Sequence, residues 1–591
     1  MKKHILISAI ALLVSFVAAY AIPAYPGIMN FKQPDGTTIQ IRLHGDEFSH
    51  WYTTPGGTVL EFDANGFLRP APDGPAVINK ARQQSINSPK RRSITPPNYT
   101  VTTGTVHIPV IIVEFSDVPF TVAGASPGTA FSNMLNQAGY SVNGASGSVA
   151  DFYRDNSNDA YNPVFDVYGP VPLSHDQAYY GGSASDGSDD KAAEALFEAA
   201  VYLDTTTVID YSQYDADNDG LIDMVLMYYA GSNQAEGGGA YTIWPHQWDM
   251  FSAKYYGADV DTDYDFGGKK LYKYFCTSEM NYWGTIAGIG TTCHEFAHSL
   301  GLPDLYDTNY GTNGESGATY AFDTMCSGPY NNRGRTPPFF NSFELEMLGW
   351  DVTIEDLPAN GDGSLPAFSK DLKKAYKSAS STDGEYFLYE CRATTWDTYV
   401  NQAGMVVYHI DKSTRDVHGR TAAYWWNNWR LNIYGDHPCG YIIPAGAQNY
   451  DSGGGDDCGL NYYGSDFAFG VGSYTSYTPV DWEGVTMAYT LGSIAFAGSN
   501  VTFKVSSGYP GTRRMSYIDD PNAGVYSAGD EFALNLVPST VDAPTAVAWY
   551  YDGTAVGTPT VSLTAGAHVI EARLTLTSGA TQTVELELDV N

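Results

Sequence analysis

Basic residues are scarce in this chain. Lys and Arg together number 31 against 66 Asp and Glu, which leaves a formal net charge of −35 over 591 residues. Neutralising nucleic-acid phosphates takes clustered Lys and Arg, so that class of partner is excluded. The surplus of negative charge suits a protein kept soluble outside a cell. Long apolar runs are also lacking. The one at 5–17 is too short for a comfortable bilayer crossing, no later stretch approaches the needed length, and no membrane span is expected. Cysteine is sparse and badly spaced for metal. None of Cys276, Cys293, Cys326, Cys391, Cys439 and Cys458 forms a C-x(2–4)-C pair, so structural pairing or plain burial is the expectation.

What is present divides the chain into units. Lys2 and Lys3, the apolar run and Ala19-Tyr20-Ala21 have the order of a secretory signal with an A-x-A cleavage site, giving a signal peptide at 1–21 and a secreted product. Residues 22–103 hold short alternating stretches and end in Lys90-Arg91-Arg92 and a Pro- and Thr-rich run, the pattern of a cleavable propeptide with an exposed boundary. Strand and helix signals then alternate over 104–360, which predicts an α/β (α+β) domain. They include a nearly continuous apolar strand at 106–115, helices at 148–155 and 189–203, and a strand at 221–230. Helical signals thin out over 361–508, a β-rich region packed on the preceding domain. Short alternating runs over 509–591 have the spacing of an Ig-like β-sandwich.

The chemistry concentrates in His294-Glu295-Phe296-Ala297-His298. On a helix the two histidines lie one turn apart on the same face, so both imidazoles can reach one zinc ion. Glu295 sits beside the first ligand and is placed to act as general base on an attacking water rather than to bind the ion. Gly301 can end the helix in a left-handed turn, and Asp304, after Pro303, can then swing back as a third ligand.

HEFAHSLGLPDLYD resembles the H-E-x-x-H-x-x-G-x-x-D signature of the immune inhibitor A family of secreted metalloproteases, metzincin relatives with Asp in place of a third His. The resemblance spans about residues 107–412. It implies a metzincin-like catalytic domain and a zinc endopeptidase with His294, His298 and Asp304 as ligands and Glu295 as base. It also implies a Met-turn at 323–328 that places Met325 beneath the metal. No Tyr follows Met325 by two residues, so the oxyanion partner is unassigned, with Tyr330 merely nearby. His246 is read as structural ahead of substrate-binding. For latency, His44, Asp46 and His50 are the propeptide groups able to bind metal, and a hairpin covering the cleft would serve equally.

A second constellation is Asp215-Ala216-Asp217-Asn218-Asp219-Gly220, followed by Asp223. Alternate carboxylates with Gly at the sixth position let a loop wrap oxygen ligands around calcium, although Leu226 stands where an EF-hand has its bidentate Glu. The function expected is hydrolysis of protein or peptide substrates, with Zn2+ and Ca2+ as cofactors. The C-terminal module offers contact with a surface or glycan, or stability alone. The rival reading is a catalytically silent, calcium-stabilised surface adhesin, which the intact Glu295 disfavours.

Overall fold

A computed structural model describes residues 20–48, 50–87, 101–182, 189, 191–309, 318–446, 467–507, 517–518, 526–538, 544–577 and 581–590. The apolar run at 106–115 becomes the strand Gly104–Glu114, and four parallel strands build the central sheet around it: Tyr161–Pro172, Gly104–Glu114, Val225–Ser232 and Lys273–Met280, in that spatial order. Gly104–Glu114, Val225–Ser232 and Lys273–Met280 are buried almost throughout, as a sheet covered on both faces requires, while the edge strand Tyr161–Pro172 is only partly buried. An antiparallel edge strand, His246–Asp249, follows Lys273–Met280, and the two residues Tyr20–Ala21 pair with that edge. One face carries helices Pro127–Asn136, Val149–Ser157 and Gly290–Leu300; helix Ala192–Thr206 packs on the other.

The local signals translate with small shifts. Ser148 caps the helix Val149–Ser157 through a capping box with Asp151. The helix expected at 189–203 begins later, with Lys191 as its N-cap, because Asp189 is drawn away to accept the Trp244 N–H. The strand expected at 221–230 divides into Leu221–Ile222 and Val225–Ser232, and Asp223 occupies the break. At the C-terminal ends of the parallel strands, Glu279 Oε1 accepts the N–H groups of Thr121, Val122 and Ala123 at 2.6–2.9 Å, while Oε2 accepts that of Gly231.

Three flanking regions surround this core. Residues 29–70 form a five-stranded antiparallel meander, followed by the helix Gly74–Asn87. The described strands between 353 and 507 form a five-stranded, a three-stranded and a two-stranded sheet. One apolar cluster runs from the helix Gly290–Leu300 through Phe339, Phe343 and Trp350 into Leu388, Tyr408 and Trp426, so the β-rich region shares a core with the α/β domain. The described strands between 517 and 590 pack around a core of their own, with a four-stranded antiparallel sheet as the largest piece. Cys276, Cys293, Cys326, Cys391 and Cys439 are all buried; Cys458 lies outside the described residues. No described helix is long and apolar enough to cross a membrane.

Candidate active site

The motif lies on the helix Gly290–Leu300, which Gly301 ends at φ +109° in the left-handed turn expected of it. The start of this helix needs glycine for a different reason. A Cβ on Gly290 would stand 2.0 Å from the Pro329 carbonyl oxygen, so the 328–334 turn can pack on the helix only because Gly290 has none.

Three side-chain atoms converge beyond the helix. His294 Nε2 lies 3.2 Å from His298 Nε2 and 3.2 Å from Asp304 Oδ1, and His298 Nε2 is 3.4 Å from the same oxygen. Each imidazole turns its Nδ1 to a backbone carbonyl at 2.8 Å, His294 to Thr324 and His298 to Leu302. Those contacts hold the protons on Nδ1 and leave both Nε2 lone pairs facing the centre. Lone-pair-bearing atoms in a dry pocket repel unless a cation lies among them, and tetrahedral ligands at ordinary zinc distances are about 3.3–3.4 Å apart. Asp304 Oδ1 and Glu295 Oε2 are buried with no hydrogen-bond partner among the described residues. The donor set therefore fits a divalent metal. Burial raises the Asp304 carboxyl, but the two imidazoles outweigh it and hold the group below its ordinary value.

Glu295 is wholly buried, and desolvation pushes its carboxyl up to about 8, in the range of a general base. Its Oε1 accepts the backbone N–H of Ile22 at 2.8 Å. Trp244 Nε1 donates to the Ile22 carbonyl, and Tyr330 Oη donates to that of Pro23. Tyr25 stands among the rings of Tyr282, Trp283 and Tyr330 at 5.3–5.7 Å. The groups singled out for latency are engaged elsewhere: His44 with Thr53, and His50 with the Asp46 carbonyl and Gln234. Ile22 gave no chemical signal in the sequence, because the contact uses a backbone group that every residue but proline possesses.

Met325 is fully buried, its carbonyl accepting the N–H of Leu305, the residue after Asp304. Its own N–H is held by Asp323 at 2.7 Å. Asn341 bonds the other Asp323 oxygen and caps the helix Ser342–Leu348 in a capping box with Glu344. Burial, followed by the Asp323 charge, drives the Glu344 carboxyl well above its ordinary value. His246 is buried between Tyr274 and the Trp244 carbonyl, the structural placement favoured for it.

The acidic loop comes together in part. Carboxylate oxygens of Asp215, Asp217 and Asp223 lie within 4.8 Å of one another. Asp219 is not among them, and its carboxylate accepts the N–H of Leu221. Asp215 also meets Lys269, and burial with the neighbouring acids raises Asp223 to about 6.

Residues 106–349 match the model of the immune inhibitor A peptidase M6 catalytic domain. This segment belongs to the immune inhibitor A family. Immune inhibitor A of Bacillus thuringiensis subsp. alesti is 25% identical over 318 residues, covering 48% of this chain and 44% of that protein. The pre-pro-metalloprotease PrtV of Vibrio cholerae serotype O1 (strain M66-2) is 27% identical over 223 residues, 34% of this chain and 23% of that one. The chain thus matches less than half the length of these curated relatives. The immune inhibitor A segment contains every candidate ligand named above. A Bacteroides ovatus mixed-linkage glucan utilization locus protein, SGBP-B, aligns over 15% of this chain and 25% of its own at 23% identity and a TM-score of 0.10, too slight a likeness to carry an argument.

Proposed function

We propose that the protein is a secreted zinc-dependent endopeptidase that hydrolyses peptide bonds of proteins. The observation carrying this reading is the triangle of His294 Nε2, His298 Nε2 and Asp304 Oδ1 with Glu295 beside it. Zinc held by those three groups supplies Lewis-acid polarisation of the substrate carbonyl and makes a water acidic enough to attack near neutral pH. Glu295 takes the proton of the attacking water and passes it to the leaving amine nitrogen. The carbonyls of Thr324 and Leu302 keep both imidazoles in the tautomer that binds, and Met325 floors the site in the manner of a Met-turn.

The chain in its intact form is latent on this reading. Ile22 occupies an oxygen of the base, while Tyr20–Ala21, which pairs with the sheet edge at His246–Asp249, falls within the signal peptide and leaves with it. Residues 22–103 thus act as the propeptide, and the base becomes available when the segment near Ile22 leaves. Asp215, Asp217 and Asp223 hold a calcium ion, which relieves the repulsion among them. The module beyond residue 509 is an Ig-like sandwich suited to contact with a surface or glycan.

The decisive experiment compares the processed protein with its Glu295→Gln variant on a protein substrate, with and without a chelator. The variant is expected to bind zinc at the parent's stoichiometry and to lose about 10²–10⁴-fold in rate. Chelation is expected to remove the activity and zinc to restore it. A Glu295→Gln protein as fast as the parent would overturn the mechanism.

A further inference from the structure

The short helix Ala422–Asn427 of the β-rich region ends in a Schellman motif: the Arg430 N–H bonds the Trp425 carbonyl at 2.9 Å, and the Trp429 N–H bonds that of Trp426 at 3.0 Å. The residue after the cap of such a motif takes the left-handed conformation and is usually glycine. Here it is Trp429, at φ +56°. A bulky side chain in that region is a backbone outlier held in place by its surroundings, and such outliers gather at functional sites.

The surroundings here are specific. The Trp429 ring lies 6.5 Å, centroid to centroid, from that of His298, whose Nε2 belongs to the metal triangle. The loop bearing it is pinned by Asn432, which is buried and donates through Nδ2 to the carbonyl of Leu305 at 3.0 Å and to that of Gly440 at 2.8 Å. Leu305 follows Asp304 directly. One loop of the β-rich region is thus fastened to the turn that delivers the third ligand and presents a partly exposed indole next to the second. Glycine would relieve the backbone strain at this position, yet it would remove the indole beside His298.

We propose that Trp429 is a specificity-determining residue of the substrate cleft, forming an apolar wall for the substrate side chain adjacent to the scissile bond and selecting peptides that carry an aromatic or long aliphatic residue there. Indole faces favour such groups by stacking and by the area they bury. The site is then completed by the β-rich region, well beyond the segment 106–349 that matches the family's catalytic domain. This inference rests on the peptidase reading above.

The test exploits the strain. Trp429→Gly suits the left-handed turn, so its thermal unfolding temperature is expected to equal or exceed the parent's, and its zinc content to be unchanged. Full-length protein, activated in the same way for each variant, is assayed on a peptide series in which the residues flanking the cleaved bond are varied. For the preferred bulky apolar residue, Trp429→Gly is expected to lose at least tenfold in kcat/KM, mainly through KM, and its preference for that residue over glycine is expected to collapse. Trp429→Phe is expected to retain the preference. An active parent whose Trp429→Gly variant keeps rate and preference within twofold overturns the assignment, as does a loss of zinc accompanied by an unaltered preference. A parent that cleaves no peptide or protein overturns the peptidase reading and the assignment together.

Discussion

Two regions outside the α/β core touch the active site, and they hold on in opposite ways. The N-terminal segment reaches Glu295 with neutral groups: a two-residue strand pairing, the Ile22 N–H, carbonyls met by Trp244 and Tyr330, and a Tyr25 ring among three others. The β-rich region holds with a cluster of buried charged side chains that bond one another and reach the core's backbone, where Asp397 also accepts the Phe339 N–H. Arg392, fully buried, grips Asp397 through Nε and Nη2 at 2.8 Å, contacts Glu390 at 3.2 Å and donates to the Phe339 carbonyl; Glu390 in turn accepts the Ser342 N–H. Backbone groups and rings released into water lose little, because water satisfies the one and exposed rings are tolerated. Buried charged groups that lose such backbone partners while still held in a low-dielectric interior are left unsatisfied at a larger cost. The first contact is built to come away and the second to stay.

The largest expected effect tests the permanent contact. Arg392→Met would leave Glu390 and Asp397 buried without their cation, a loss of about 3–5 kcal/mol. A thermal unfolding curve displaced by less than about 2 °C would mean that this region is no more firmly held than the N-terminal one. A pH effect comes next and touches the removable contact. Burial lowers His246 to about 4, and its neighbours include Ala21 across the strand and Glu47 of the N-terminal meander. The unfolded chain takes up this proton first, so stability declines as pH falls from 6.5 towards 4, by at most about 3 kcal/mol, and levels off below that. His246→Gln should flatten that part of the pH–stability profile; an unaltered slope would show that another group is responsible.

Smaller still is the gain from releasing the N-terminal segment. Proteolytic nicking of the folded protein within 88–100 should raise peptidase activity at least about tenfold, since a tethered segment acts at high effective concentration until it is cut free. Equal activity before and after nicking would make the contact permanent in practice and remove the contrast. The smallest effect belongs to the acidic loop, which touches neither region. Asp217→Asn should reduce the rise in unfolding temperature on adding calcium by a few degrees, about 1 kcal/mol or less, without changing the rate at saturating zinc. A calcium response identical to the parent's would remove Asp217 from that site.

How much of this the sequence carried depended on how local each interaction was. His294, His298, Gly301 and Asp304 occupy one helix and the turn ending it, so spacing alone brought them together. Where a contact spans hundreds of residues through a backbone N–H, as between Ile22 and Glu295, no residue type announces it. Asp189 follows the same logic: it had the composition of a helix start, and a tertiary partner, the Trp244 N–H, claimed it instead. The lock from Met325 through Asp323 to Asn341 and Glu344 was hidden because each residue looks ordinary until the fold makes them neighbours. At Trp429 the local rule misleads, since a left-handed helix end is looked for at glycine. Among the acids of the 215–223 loop the alternation marked four, of which the fold brings Asp215, Asp217 and Asp223 together and leaves Asp219 out.

The four N–H groups gathered by Glu279 bear on a broader question. Gly104–Glu114 has Tyr161–Pro172 on one side and Val225–Ser232 on the other, so the chain reverses its winding between the first and third of these strands. At such a reversal, open α/β sheets receive anionic ligands beyond the carboxyl ends of their strands, often in a concavity of successive amides. Thr121, Val122 and Ala123 provide such a concavity, and the carboxylate of Glu279 already lies in it. The protein supplies its own anion there. A fold whose usual crevice is sealed by a resident side chain keeps its chemistry at the rim of the sheet, beside the one antiparallel strand where an extended chain can lie down.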